Sequence, residues 1–326
     1  MSTLLIMLFR LMIVLSVVLF FLGLFKPEWL RFRQKQPDLL TIIAAAMALF
    51  MLGFTGAGEM YKAGQNISSE VVSRGKMLSE TVYAGDADTV HCAAGTKPGR
   101  AGKSTHEKTS AGISYSVKTP INYDATIAHP LLMVYAPMGR SRSETEEFTY
   151  LTQEATAAGF IVAYADHRAM APETMVELAE VPVLIQKKWC IDAKKIFLTG
   201  HSDGGTIAMG IAFINGTKHI PSAIAPSAVG IRGDDLVERK CPKPLPVMVM
   251  HSSRDNLFPN YGKEAVEWWA KCNGCDTSST VEEADGCIAY TGCKNDVKTW
   301  YCEGTGIHSE WPGKNKTIID FFKAVK

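Results

Sequence analysis

No surplus of charge marks this chain. Lys and Arg number 34 against 33 Asp and Glu, a formal net charge of +1. A nucleic-acid binder needs a strongly basic face, so no nucleic-acid partner is expected. The chain also lacks a G-x-G-x-x-G turn and a P-loop, the usual cradles for dinucleotide and nucleotide phosphates. No His/Cys spacing matches a zinc enzyme, so neither metal nor cofactor is expected. No internal repeat is evident. What remains, at 47% hydrophobic and 21% charged residues, is the ordinary composition of a globular protein with ample material to bury.

Long apolar runs are concentrated at the N-terminus. Residues 3–25 are apolar except for Arg10 and small polar residues such as Ser16, and residues 39–57 form a second run. Each approaches the ~20 residues that span a bilayer. Between them lie Lys26, Arg31, Arg33 and Lys35, with Trp29 and Phe32 as interface residues. The positive-inside rule keeps that basic loop in the cytoplasm. Residues 1–57 then read as a membrane-anchoring helical hairpin, with the rest of the chain periplasmic or extracellular. A second reading makes 31–57 a signal peptide, with small Thr55 and Ala57 near a cleavage point. Both readings export the remainder of the chain. Cysteine usage points the same way. There are eight, five of them within residues 272–302, which suits disulfides in an oxidising compartment. Spacing alone does not give the pairing. Cys272-x-x-Cys275 as half of a zinc site is the alternative. Residues 58–111, rich in Gly, Ser, Thr, Ala and Lys, read as a linker, and 112–326 as a catalytic domain.

The chemistry centres on Lys195-Ile196-Phe197-Leu198-Thr199-Gly200-His201-Ser202-Asp203-Gly204-Gly205. A short apolar run meets G-x-S-x-G, and the small and apolar residues Ile207, Ala208, Met209, Ile211 and Ala212 come next. That is the strand, sharp turn and helix of a nucleophile elbow, which pushes the Ser202 hydroxyl out of the fold. A serine hydroxyl needs a histidine to take its proton and a carboxylate to orient that histidine. Downstream, Pro246 to Met250 reads as a buried parallel strand, with Asp255 on the loop at its end. Val297 to Tyr301 is another strand candidate, running into Gly304-Thr305-Gly306-Ile307-His308. Ser202, Asp255 and His308 therefore lie at one sheet edge, in the order Ser, Asp, His. His219 reads as a surface residue and His251 as structural or pocket-wall. Asp203 follows the serine, and its backbone N–H is one oxyanion donor. The loop after the strand 131–135 supplies the other. Pro137 has no N–H, which points to Met138, with Gly139 behind it. His201 and Trp311 flank nucleophile and base and are the candidate substrate-binding residues.

These segments resemble the α/β-hydrolase esterases grouped with polyhydroxybutyrate depolymerases and feruloyl esterases. The resemblance rests on Gly200 to Gly205 and on the acid loop at Asp255. It also rests on Trp269-Ala270-Lys271-Cys272-Asn273-Gly274-Cys275, on Tyr290-Thr291-Gly292-Cys293, and on Gly304-Thr305-Gly306-Ile307-His308-Ser309-Glu310-Trp311-Pro312-Gly313. It covers about residues 112–326. It implies hydrolysis of a small or oligomeric ester by a Ser202, His308, Asp255 triad. The chain has Ala136-Pro137 where the family usually has His-Gly, and Ile307 and Glu310 lengthen the histidine loop.

The remaining elements agree with an α/β fold, a mostly parallel sheet flanked by helices. Gly112 to Thr119 reads as the first strand and Phe160 to Tyr164 as another. Glu144 to Ala158, Pro172 to Lys187 and Lys263 to Ala270 read as helices. A serine peptidase of the same fold, or an inactive hydrolase-fold envelope or binding protein, are the competing readings, since fold alone does not give activity.

Overall fold

A computed structural model describes residues 2–25, 40–52 and 90–325 of the chain. The chain divides into two compact units, Met1–Gly75 and Lys76–Lys326. In the first, helix α1 runs Ser2–Phe25 and helix α2 covers 40–52. The side chains of α1 are described at 11–22 and 25. Among the described residues no helix is long and apolar enough to cross a membrane. The expected spans 3–25 and 39–57 are thus helical where described but unsupported as membrane spans. The basic loop between them, and residues 53–89, lie outside the described residues.

The second unit is built on one ten-stranded sheet. Its strands are β1 (Lys103–Lys108), β2 (Ser114–Lys118), β3 (His129–Tyr135), β4 (Ile161–Ala165), β5 (Ile191–His201), β6 (Ala223–Ser227), β7 (Val247–Ser252), β8 (Asp276–Glu282), β9 (Cys287–Thr291) and β10 (Thr299–Gly304). The order across the sheet is β1-β2-β4-β3-β5-β6-β7-β10-β9-β8. Strands β4, β3, β5, β6, β7 and β10 run parallel, and antiparallel strands flank them on both sides.

The central parts of the parallel strands carry apolar residues on both faces because helices cover both. Alternate residues divide between two cores. Leu131, Met133, Tyr135, Leu198 and Val249 face the helices α5 (Pro172–Lys188), α6 (Asp203–Phe213) and α8 (Tyr261–Cys272). Leu132, Val134, Phe197, Met248 and Met250 face α4 (Leu151–Ala157) and α9 (Asn315–Lys323). Each fully buried side chain of this size contributes about 1.5–3 kcal/mol relative to exposure.

Two expectations change. The helix expected over Glu144 to Ala158 is two helices, α3 (Arg142–Thr149) and α4, because Tyr150 takes a left-handed conformation with φ 53°. The side-chain amide of Asn315 donates to the freed Thr149 carbonyl at 2.8 Å. The linker expected over 58–111 also changes in its described part, from residue 90 on. There β1 pairs antiparallel with β2, and Cys92 is bonded to Cys190. The stretch looks like a linker because an edge strand wet on both faces needs no apolar pattern.

All eight cysteines are paired, as Cys92–Cys190, Cys241–Cys272, Cys275–Cys293 and Cys287–Cys302. Four disulfides indicate an extracellular or periplasmic environment. The zinc alternative falls, because Cys272 and Cys275 are both bonded to other cysteines. The Cys287–Cys302 bond joins directly paired positions of β9 and β10.

Candidate active site

The turn between β5 and α6 follows from its glycines. A Cβ on Gly204 would stand 2.0 Å from the Tyr135 carbonyl oxygen, and one on Gly200 would stand 2.5 Å from Gly204 backbone atoms. Only hydrogen fits at either place, so β5, α6 and the end of β3 approach at backbone distance. Between these glycines Ser202 adopts φ 55°, ψ −119°. A non-glycine residue there costs about 1–3 kcal/mol. Bonds on both sides hold it. The Ser202 N–H donates to the Ser227 carbonyl at 3.0 Å, and the Ser202 carbonyl accepts from the Thr206 N–H at 2.9 Å.

Asp255 and His308 arrive on the loops after β7 and β10, adjacent parallel strands. Their loops are joined to each other. The Ser253 N–H donates to the Gly304 carbonyl at 2.9 Å, and the Arg254 guanidinium to the Thr305 carbonyl. Glu310 accepts from the Ile307 N–H at 3.1 Å and braces the turn before the histidine. As a result His308 Nδ1 stands 2.7 Å from Asp255 Oδ2, and His308 Nε2 stands 2.9 Å from Ser202 Oγ. Residues 53 and 106 positions apart in the chain meet in one hydrogen-bonded line.

Asp255 is 3% exposed. Burial alone would raise its pKa. The hydrogen bond from His308, the Phe258 N–H and the nearby charges of His308 and His251 together outweigh that and hold it below the ordinary value. The other carboxylate oxygen accepts from the Leu257 and Phe258 N–H groups, each at 3.0 Å. A carboxylate held this way stays ionised and keeps Nδ1 of His308 protonated, leaving Nε2 free to accept the serine proton. His251 is buried 3.8 Å from Asp255 Oδ2, in keeping with the structural part of its expected place. His219 is exposed.

Side chains tie together the loops on the other side of Ser202. Asp203 opens α6, so its N–H is one of the first-turn amides without an intrahelical acceptor. Its carboxylate turns away to His167 Nε2, at 3.0 Å. The His167 backbone N–H donates to the Arg140 carbonyl at 3.1 Å. Arg142 adds a two-point bond to Asp166. The loop after β3, with Met138 and Gly139 at its tip, is thereby tied to the loop after β4 and to the elbow. The Met138 side chain is 71% exposed.

Two expected substrate contacts need redrawing. His201 is 4% exposed and both its ring nitrogens are engaged, with Ser227 Oγ at 3.0 Å and the His308 carbonyl at 2.6 Å. It has no polar atom to offer a substrate. Trp311 gives its indole N–H to Asn315 at 2.7 Å, and its ring packs edge-on against Phe148 and His201. Sequence reasoning missed Ser227, Phe148, Phe258 and His167 as neighbours of the site. Phe258 meets His308 edge-on at 4.8 Å. Their one sequence signal is position, each within a few residues of the C-terminal end of a parallel strand or on the helix after it.

Acidification bears on this packing. Burial pushes the His201 pKa down to about 4 and lowers His129 and His251 as well. Each binds its proton more weakly folded than unfolded, so below the ordinary histidine value the unfolded chain gains protons first. The His201 contribution is full above pH ~6.5 and lost as pH falls toward about 4, and those of His129 and His251 fall in the same direction. Asp255 adds a loss in the same direction below the ordinary carboxyl value. Unfolding by urea between pH 7 and 4 is expected to show stability falling by more than one proton's slope, about 1.4 kcal/mol per pH unit. A flat profile would contradict this.

A mostly parallel sheet with Ser, Asp and His at its carboxyl edge, the serine on a strained turn between strand and helix, defines an α/β-hydrolase. No family model matches the chain. It is 28% identical to feruloyl esterase B of Piromyces equi over 61% of this chain and 43% of that protein. The chain thus spans less than half the length of that relative. Among solved structures, acetyl xylan esterase from Aspergillus awamori superposes with a TM-score of 0.53 at 15% identity, covering 69% of this chain and 99% of that one. The feruloyl esterase module from Clostridium thermocellum gives 0.52 at 15% identity, over 74% and 92%. The structural likenesses show the fold.

Proposed function

We propose that the chain is an exported serine esterase that hydrolyses carboxylic esters through an acyl-enzyme on Ser202. The observation that carries this is His308, hydrogen-bonded to Ser202 at 2.9 Å and to Asp255 at 2.7 Å. Ser202 Oγ attacks the ester carbonyl carbon while its proton passes to His308 Nε2, and Asp255 stabilises the imidazolium. The N–H groups of Asp203 and Met138 receive the oxyanion. Collapse breaks the acyl–oxygen bond, and His308 returns the proton to the leaving alcohol. Water then enters and attacks the acyl carbon as its proton passes to His308 Nε2, and His308 gives that proton to Ser202 Oγ as the bond from Oγ to the acyl carbon breaks and the acid leaves. Feruloyl sugars and hydroxybutyrate oligomers are the substrate classes to try first, the former by likeness to feruloyl esterase B. Met138 and Trp311 stand as contacts for the ester, Trp311 through its ring. A fluorophosphonate should label Ser202 stoichiometrically, and a panel of p-nitrophenyl esters, feruloyl sugars and hydroxybutyrate oligomers should be hydrolysed selectively. Absence of both label and hydrolysis would overturn the reading in favour of a binding protein.

Membrane attachment through residues 1–57 belongs to the same proposal. It rests on the apolar runs 3–25 and 39–57 and the cations Lys26, Arg31, Arg33 and Lys35 between them. Alkaline phosphatase fused after residue 60 should be active and fused after residue 33 inactive. The reverse pattern excludes the orientation, and a mature N-terminus near residue 58 replaces the anchor with a cleaved signal.

A further inference from the structure

We propose that His201 is a positioning residue, its imidazole fixing the distance between the nucleophile turn and the main chain of the base. The inference rests on the reading of Ser202 as nucleophile and His308 as base.

The bonding fixes the tautomer. A carbonyl only accepts, so the 2.6 Å contact with His308 requires a proton on His201 Nε2. In the neutral ring Nδ1 then accepts from the Ser227 hydroxyl at 3.0 Å. Burial holds the ring neutral, with its pKa about 4. Ser227 in turn receives the Ser202 N–H on its own carbonyl at 3.0 Å. The contacts close a ring. His201 precedes Ser202 in the chain, its side chain holds the His308 carbonyl, and the His308 side chain reaches back to Ser202 Oγ at 2.9 Å. Phe148 and Trp311 wall the imidazole at 5.3 and 6.1 Å between ring centres.

Such a brace suits the loop that carries the base. Residues 304–313 contain Gly304, Gly306 and Gly313 and none of them is buried, so packing on rings such as Phe258 and Phe148 is what else restrains them. A bond from the elbow to the main chain of the base restrains the one distance on which proton transfer depends. Misplacement by about 1 Å can lower rate roughly a hundredfold.

The test compares His201→Leu, His201→Gln and Ser227→Ala, with Ser202→Ala alongside, on p-nitrophenyl acetate with thermal unfolding recorded for each. His201→Leu should lower kcat about 30- to 100-fold and slow fluorophosphonate labelling in step, with KM within about twofold of the parent. His201→Gln places an amide N–H where Nε2 stood and should recover kcat to within about fivefold. Ser227→Ala should lose about three- to tenfold. A folded His201→Leu with unchanged kcat overturns the inference. So does a loss confined to KM, which would mark substrate contact, or a glutamine variant no better than leucine. If His201→Leu does not fold, Ser227→Ala with unaltered kcat overturns it, and a tenfold kcat loss there with unaltered KM supports it. Activity surviving in Ser202→Ala would overturn the nucleophile reading as well. Loss in Ser202→Ala beside an intact His201→Leu overturns this inference alone.

Discussion

Replacing Ser202 with alanine is expected to lower kcat by about four to six orders of magnitude. The fold should survive. The turn is held by backbone bonds to Ser227 and Thr206, and alanine keeps the same Cβ in the same φ, ψ well. KM should change little, because the hydroxyl acts on the transition state rather than on ground-state binding. His308→Ala should give a loss of similar size, and the double variant should be no worse than either single one, since a nucleophile without its base is already disabled. Asp255→Asn should cost about 10⁴-fold, because an amide there cannot hold Nδ1–H of His308 in the required tautomer. Steady-state rates on a p-nitrophenyl ester, with circular dichroism as the folding control, decide the matter. Full activity in Ser202→Ala, or losses that multiply in the double variant, would exclude the acyl-enzyme route.

Reduction is expected to abolish both stability and activity of the enzyme unit. The four disulfides close loops with sequence separations of 98, 31, 18 and 15 residues. By chain entropy each contributes about 3–5 kcal/mol, against a typical net stability of about 5–15 kcal/mol. Loss of all four therefore removes most of the margin. The effect on rate should precede global unfolding, because Cys302 lies on β10, the strand that delivers His308. Cys287→Ala with Cys302→Ala should lower Tm by several degrees and kcat by more than the stability change accounts for. Thiol titration of the denatured, unreduced protein should find no free thiol. Eight free thiols in protein from an oxidising compartment, or an unchanged Tm with reductant, would refute this.

Much of the site was legible because buried parallel strands announce themselves. Leu131 to Tyr135, Phe160 to Tyr164, Ile196 to Thr199 and Val247 to Met250 are continuous apolar runs, and a turn rich in glycine or polar residues after such a run marks the catalytic edge of a sheet. Ser202 and Asp255 each come after one, and His308 follows the shorter run Trp300-Tyr301-Cys302 of β10. What was hidden lacks such a pattern. Strands β1 (KSTHEK) and β8 (DTSSTVE) are edge strands with mostly wet faces, so their polar residues read as loop. The Thr149 carbonyl at the break before Tyr150 is met by Asn315, far along the chain, which no local propensity reveals. His201 looked like a substrate contact because it adjoins the nucleophile. Its partners, Ser227 and the His308 carbonyl, are brought to it only by the order of the sheet. The disulfide pairing likewise depends on which strands become neighbours.

The insertion of β10 between β7 and β9 sets an order of events in the life of the chain. During synthesis the elbow and the acid loop emerge before the strand that bears the base. Strands β8 and β9 also emerge before it, yet they join the sheet only through it. Until Cys287 and Cys302 are joined, β10, which leads to His308, is held to β9 by ladder hydrogen bonds alone. Oxidation supplies the fastening. If the chain is exported as proposed, the arrangement around His308 is completed where its disulfides form.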